Sequence, residues 1–210
     1  MSIDIASYFS KVDRRVTSTE REGKPMRVLT VSKVYPADAK TVWNSLSSAE
    51  RISKWFLPVS GDLHKGGQFQ FEGNAGGTIL ECEPESKVDL TWEFGGMVSW
   101  VTITLNPTED GTKFTLQHSA EVDDERWNTY GPGAVGMGWE SGLYGLQKYL
   151  HTGLPNILEE SFAWIQSPEG RSFMTQTSDG WRQANIDSGT DEKSATESAA
   201  RCLAAYLGEA

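Results

Sequence analysis

The sequence has few cysteines, few histidines and no long hydrophobic run. Its two cysteines, Cys82 and Cys202, lie far apart and form neither a CxxC pair nor a disulfide framework. The three histidines show no HxH or HExxH spacing, so we expect no metal site and no cofactor. No apolar stretch approaches the roughly 20 residues that span a bilayer, which predicts that the chain does not enter a membrane.

Positive charge is also scarce. The 210 residues contain 19 Lys and Arg against 29 Asp and Glu, which gives a formal net charge of -10. Nucleic acids and anionic membranes are bound through clustered Lys and Arg, so neither is an expected partner. The first 15 residues carry no continuous apolar segment of the kind found in signal peptides, and we therefore expect a cytoplasmic protein.

What the chain does have is glycine pairs between short runs of aromatic and β-branched residues. The pairs are Gly66-Gly67, Gly76-Gly77 and Gly95-Gly96. Glycine adopts the positive φ of tight hairpin turns without steric cost, so this pattern predicts a meander of antiparallel strands. The predicted strands are 15–20, 26–35, 68–73, 78–83, 88–94, 98–105 and 113–120.

Helices are predicted before and after the glycine-punctuated strands in the sequence. Asp38 is a suitable N-cap for a helix ending at Leu46, and Ser47 with Glu50 has the spacing of a capping box for a second, short helix. From Gly136 onward the hydrophobic period becomes helical, which predicts a long amphipathic helix that covers the sheet. These elements predict an α+β domain over residues 1–152.

Residues 153–210 are predicted to form a separate helical extension. Pro168 suits the first turn of one helix and Asp191 can cap another. The last helix has an apolar stripe formed by Ala195, Ala199, Cys202, Leu203 and Tyr206. This stripe suits docking on the domain and a homodimer contact equally well.

Four segments of the chain resemble a known family. They are PADAKTVWNSLSSAERISKWFLP, GDLHKGGQFQF, GGTILECEPESKVDLTWEF and GMGWESGLYGLQKYL. In residues and order they resemble the SRPBCC or START-like superfamily, in particular the bacterial homologues of the C-terminal domain of the heat-shock protein 90 ATPase activator. The resemblance covers about residues 13–152. It implies a helix-grip fold, in which a bent antiparallel sheet wraps around a long helix.

A pocket between this sheet and the long helix is the expected functional site. Ligand pockets have mostly apolar walls with a few placed polar groups. The candidate wall residues are Trp55, Phe69, Phe71, Leu80, Trp92, Trp100, Trp139 and Leu143, although aromatic residues on strands are more often plain core. His118, late in the last strand, is a candidate general base or a hydrogen-bonded strand residue.

The glycine-rich segment 131–136 lacks the features of a phosphate loop and is interpreted as a flexible lid at the pocket mouth. Trp127 or Tyr130 would then fold over the entrance.

Three functions remain open at this point. The first is a protein that binds a small apolar or aromatic molecule without catalysis. The second is a cyclase, dehydratase or hydrolase acting on a polyketide-like or aromatic substrate, which would need His118, Tyr130 or an inward carboxylate in the cavity. The third is a chaperone-associated or stress-response interaction protein, which a large exposed apolar patch on the C-terminal helices would favour.

Overall fold

The computed structural model describes residues 5–209, apart from the side chains of residues 158 and 159. Residues 1–4 of the predicted domain and residue 210 of the predicted extension lie outside the described residues. The strands are β1 (Val12–Arg21), β2 (Lys24–Tyr35), β3 (Val59–Gly61), β4 (Gln68–Phe71), β5 (Gly76–Glu83), β6 (Lys87–Phe94), β7 (Met97–Thr108) and β8 (Gly111–Glu121). The helices are α1 (Ile5–Phe9), α2 (Ala39–Leu46), α3 (Ala49–Ile52), α4 (Asp124–Tyr130), α5 (Gly133–Thr152), α6 (Leu158–Gln166), α7 (Pro168–Asp187) and α8 (Glu192–Leu207).

All eight strands form one antiparallel sheet in the order β1-β2-β8-β7-β6-β5-β4-β3. Together with α5 against its inner face, this confirms the predicted α+β helix-grip fold. Gly95 and Gly96, with φ of 60° and 78°, form the two-residue turn between β6 and β7, as predicted. Positive φ at both positions matches the twist of the paired strands.

The turn predicted at Gly76-Gly77 lies slightly earlier, at residues 72–75, because the two glycines are the first residues of β5. A Cβ atom on Gly77 would overlap the backbone carbonyl of Thr91 on the neighbouring strand. The glycine therefore serves a close approach of two strands instead of a turn. The structure also contains β3, an edge strand of three residues that the sequence patterns did not predict.

One β-bulge changes the side-chain alternation of β5. Ile79 pairs with Leu90, but the next pairing joins Glu81 to Asp89, so Leu80 has no partner of its own. The extra residue reverses the alternation that follows. As a result Ile79 and Cys82 face inward, and Leu80 is 41% exposed.

Two short capped helices follow β2. The Asp38 side chain accepts a hydrogen bond from the Thr41 amide, which confirms this N-cap of α2. The predicted cap of the next helix is wrong by one position, since Ser48 and not Ser47 accepts a hydrogen bond from the Arg51 amide. Helix α3 packs against β3, whereas α2 packs against β7 and β8.

The long helix α5 begins at Gly133, three residues before the predicted start. Gly133 and Gly136 are buried, and a Cβ atom on Gly136 would overlap the Trp181 ring of α7. The interpretation of residues 131–136 as a flexible lid is therefore wrong: these glycines permit close helix packing. Farther along α5, the Tyr35 hydroxyl donates to the Leu143 carbonyl at 2.9 Å and ties the helix to the sheet.

The extension after residue 152 is helical, as predicted, but it shares the main core. Phe173, Met174 and Trp181 of α7 belong to the same buried cluster as the inner face of the sheet. In α8, Ala195 and Cys202 are buried within this chain. These two side chains of the stripe thus dock intramolecularly, and a homodimer contact through the C-terminal helices stays a prediction.

Candidate functional site

An apolar cavity, which we call the inner chamber, lies between the inner face of β4 to β7 and helices α2, α3 and α5. It leaves about 120 Å³ in which the centre of a water-sized molecule can move. Its walls are formed by Trp43, Leu46, Ser47, Ile52, Trp55, Phe56, Leu63, Phe69, Phe71, Ile79, Cys82, Val88, Leu90, Trp92, Val101, Ile103 and Trp139. None of these 17 residues is charged, so the chamber can only favour apolar or aromatic groups.

A cluster of aromatic rings forms one wall of the inner chamber. The Trp92 and Trp139 rings have centroids 4.7 Å apart, and Phe56 stacks on Trp139 at 5.9 Å with an interplanar angle of 11°. Phe71 meets Phe56 edge to face at 5.1 Å. Such pairs hold one another in place beyond the effect of simple burial, which makes this a defined wall.

A second cavity, the outer chamber, lies on the other side of this wall. It is larger and more open, with about 490 Å³ for the centre of a water-sized molecule. Trp55, Phe56, Trp92 and Trp139 line both chambers. The outer chamber also has polar groups on its walls, namely Asn74, His118, Arg126, Ser141, Asn156, Ser161 and Tyr206. The apolar inner chamber and the mixed outer chamber thus adjoin each other along these four aromatic residues.

His118 is the centre of a hydrogen-bond chain behind the wall. The Trp139 indole N–H donates to His118 Nδ1 at 2.9 Å, and His118 Nε2 lies 2.9 Å from the Ser99 hydroxyl. An indole N–H can only donate, so Nδ1 accepts and Nε2 carries the proton of the neutral ring. The Ser99 hydroxyl in turn donates to the Trp92 carbonyl at 3.0 Å. The chain therefore links the Trp139 indole to the backbone of Trp92.

This arrangement decides what His118 can do. The residue is 5% exposed, and burial lowers the pKa of its imidazole from 6.5 to about 4. Both ring nitrogens are already engaged, so the ring cannot accept a substrate proton unless Trp139 first moves away. The geometry thus supports the interpretation of His118 as a hydrogen-bonded strand residue that positions Trp139.

The predicted wall residues divide into two groups. Trp55, Phe69, Phe71, Trp92 and Trp139 line the inner chamber, and His118 lines the outer one. Leu80, Trp100 and Leu143 line neither. Contact of any of them with a ligand stays a prediction.

Leu80 and Trp100 face the opposite side of the sheet from the one predicted. Leu80 is the bulged residue of β5, and Ile79 takes the inward position. Trp100 lies under the Arg21 guanidinium, 4.2 Å from the ring centroid. The threonines at 102 and 104 share the face of Trp100, so the polar alternation of β7 was the missed signal.

Leu143 faces inward but belongs to the packed core. It is 1% exposed and lies in the main hydrophobic cluster. Its side chain therefore has no open space beside it.

The predicted gate is also in a different place. Trp127 packs under Arg27, with the guanidinium 4.4 Å from the ring centroid, and lines a separate groove with Leu29. Tyr130 faces α8. Neither residue lines the inner or the outer chamber, so the gate hypothesis is wrong.

A buried polar cluster lies on the face of α5 away from the inner chamber. Glu140 is fully buried and accepts two hydrogen bonds of 2.6 Å from the Arg14 guanidinium of β1. Burial raises the pKa of the Glu140 carboxyl, and the Arg14 charge opposes that rise. The Tyr8 hydroxyl donates to the Glu140 carbonyl at 3.3 Å, and Lys33 Nζ donates to the Tyr8 carbonyl at 2.8 Å.

Among the residues of 5–209 whose side chains the structure describes, no three His, Cys, Asp or Glu come together in a way that could hold a metal ion. Over the same residues, no helix is long and apolar enough to cross a membrane.

Comparisons with known proteins show which family and which solved structures the chain is similar to. A family model described as activator of Hsp90 ATPase homolog 1-like protein matches residues 36–151, more than half of the chain. A search of curated proteins finds no match.

Solved structures are similar over a larger part of the chain. The crystal structure of CalU16 from Micromonospora echinospora is 26% identical, with a TM-score of 0.66, and the match covers 83% of this chain and 98% of that one. Its solution structure gives 26% identity, a TM-score of 0.68 and coverages of 85% and 97%. Protein MLL2253 from Mesorhizobium loti, at 24% identity and a TM-score of 0.54, matches 60% of this chain and 97% of its own.

The matches to CalU16 and MLL2253 differ in how much of residues 153–210 they include. A match to 83% of the chain includes more residues than the predicted domain 1–152 contains, so the likeness to CalU16 reaches into residues 153–210. The match to MLL2253 is short enough to be contained in the predicted domain. The boundary at residue 152 itself stays a prediction.

Proposed function

Because the chain belongs to the family of activator of Hsp90 ATPase homolog 1-like proteins, we propose that it binds a small apolar or aromatic molecule in the inner chamber. The observation that carries this proposal is a cavity whose 17 wall residues include no charged side chain. An apolar space of this kind favours ligands through burial of apolar surface and rejects charged groups. The physiological ligand would be selected by shape against the aromatic wall.

The residues around the cavity favour binding over catalysis. The two nitrogens of His118 are engaged with Trp139 and Ser99. Among the described residues, no carboxylate lines either chamber. A cyclase, dehydratase or hydrolase would need a free acid or base at the substrate.

The proposal is tested with N-phenyl-1-naphthylamine, a neutral aromatic probe whose fluorescence rises in apolar surroundings. The variant Ile103→Phe places a ring into the inner chamber, and we expect it to weaken probe binding about ten-fold, which corresponds to about 1.4 kcal/mol. The matched control is Thr102→Phe, which adds the same ring on the other face of β7. Equal affinities of both variants and the parent protein, or no binding at all, would contradict the proposal.

A complementary measurement is native mass spectrometry of the protein purified from its own host. A retained small molecule released by denaturing extraction would identify the ligand.

A second candidate, an interaction with another protein, has one observation in its favour. Leu154, Ile157 and Phe162 on and before α6 are 67%, 49% and 64% exposed. Exposed apolar side chains that lie close in sequence are typical of contact surfaces. Leu154→Ser would weaken such a contact and leave the binding of the neutral probe unchanged within about two-fold, since Leu154 lines neither chamber.

A further inference from the structure

The charges around the outer chamber differ from those of the whole protein. The chain has a formal net charge of -10, yet the described residues that line this chamber include one charged side chain, Arg126, and no carboxylate. Among the described side chains, the cavity wall is therefore positively charged although the protein as a whole is acidic.

Arg126 is available to a ligand. It is exposed on α4, and among the side chains that the structure describes no carboxylate forms an ion pair with its guanidinium. Its backbone amide caps the helix by donating to Asp123, which leaves the side chain out of the cap. By contrast, the nearby Arg201 guanidinium is engaged, because it donates to the carbonyls of Thr129 and Asn128.

The C-terminal extension completes this space. Asn156, Ser161 and Ile165 line it from the side of α6, and Tyr206 lines it from α8. Burial raises the pKa of Tyr206 to about 12, and the positive charge of Arg126 acts in the opposite direction. The positive charge of Arg126 therefore acts on the Tyr206 hydroxyl at the chamber wall.

We propose that the outer chamber is a second ligand subsite, which binds the anionic end of an elongated aromatic molecule through Arg126. This inference rests on the proposed function: the apolar part of the same molecule lies against the Trp92 and Trp139 wall and reaches the inner chamber. A guanidinium pairs with a carboxylate or sulfonate through charge-assisted hydrogen bonds. The ligand class is accordingly an aromatic acid, and aromatic amines are excluded.

The test uses two probes that differ in one group. 8-Anilino-1-naphthalenesulfonate carries a sulfonate that the neutral N-phenyl-1-naphthylamine lacks. Arg126→Gln is expected to weaken binding of the sulfonate about five-fold and to leave the neutral probe unchanged, which is the size of effect known for a partly exposed charge pair. About 1 M salt, where the Debye length is about 3 Å, should remove most of this difference.

Arg15→Gln is the matched control. It removes the same charge from an exposed site on β1 that lines neither chamber, so both probes should bind as they do to the parent protein. An unchanged affinity of Arg126→Gln for the sulfonate, with the neutral probe still bound, would overturn the subsite and leave the proposed function intact. An equal loss in Arg15→Gln would reduce the effect to overall charge and also overturn it. Failure of the neutral probe to bind the parent protein would overturn both proposals.

Discussion

Trp139 and Glu140 are neighbours in α5, but the two sides of the helix on which they lie are built differently. The Trp139 side borders an open apolar space, and its one strong polar contact is the hydrogen bond to His118. The Glu140 side is closely packed, with a buried ion pair to Arg14 and ring contacts from α1 and α7. Helix α5 therefore lies between a closely packed region that contains a buried ion pair and an open cavity that can accept a ligand.

The contrast suggests a division of tasks. The closed side fixes α5 to β1 through the Arg14–Glu140 ion pair and to the extension through the packing of Trp181 against Gly136. The open side can then keep an unfilled cavity without loss of the fold, although a cavity by itself costs stability. Four experiments test this division, from the largest expected effect to the smallest.

The largest effect is expected at the buried ion pair. Glu140→Ala leaves the Arg14 guanidinium buried without a partner and should lower the free energy of unfolding by about 3–5 kcal/mol, measured by urea denaturation. The double variant Arg14→Leu/Glu140→Leu removes both charges and should recover much of this loss. If the single variant is as stable as the parent protein, the closed side does not fix the helix in the way described.

The second effect is a pH dependence of the unfolding free energy that arises from His118, which contacts Trp139 on the open side of α5. His118 has a folded pKa of about 4 against about 6.5 when unfolded, so the unfolded chain binds more protons between these values. Stability conferred by the neutral ring is present above pH 6.5 and is lost as the pH falls toward 4, by up to about 3 kcal/mol. The difference in unfolding free energy between the parent protein and His118→Gln should shrink over this range, because the carboxylates titrate in both proteins. If the difference in unfolding free energy did not change with pH, the His118 ring would not be buried in its neutral form.

The third effect compares two glycines of α5. A Cβ atom on Gly136 overlaps the Trp181 ring, whereas one on Gly138 lies 3.1 Å from the Tyr206 hydroxyl, near the outer chamber. Gly136→Ala should destabilise the protein by about 1–3 kcal/mol through overpacking. Gly138→Ala gains up to about 1 kcal/mol of helix propensity against a small displacement of Tyr206 and should be close to neutral. Thermal unfolding of both variants checks the difference, and equal losses would mean that the two sides are packed alike.

The smallest effect concerns the outer face of the sheet. Arg21→Ala removes the guanidinium above Trp100 and should cost less than about 1 kcal/mol, as expected of an exposed cation–π contact. Binding of N-phenyl-1-naphthylamine should be unchanged, because Trp100 lies outside both chambers. A weaker affinity would show that the outer face affects the cavity.

These comparisons also explain which features the sequence could predict. Element order and the five wall residues Trp55, Phe69, Phe71, Trp92 and Trp139 follow from hydrophobic periodicity and turn signals, which act over a few residues. The positions that failed depend on longer-range geometry. The bulge at Leu80 is visible only once β5 is paired with β6. The role of Gly136 depends on Trp181, 45 positions later in the chain.

The ion pair of Arg14 and Glu140 illustrates the same limit. Nothing in either local pattern marks these residues as partners, since Glu140 falls on the polar side of the helical wheel and Arg14 at the start of an edge strand. Their contact arises because α1, β1 and α7 close over the helix. Without knowledge of that packing, a buried carboxylate and a solvated one look alike in sequence.

The composition of the aromatic wall has a practical consequence. Four of the eight tryptophans, Trp43, Trp55, Trp92 and Trp139, border the inner chamber. The intrinsic ultraviolet emission of the protein therefore comes in large part from the surroundings of this cavity. Any guest that enters it, coloured or not, changes the polarity around these indoles, so the chain carries its own label-free reporter of occupancy.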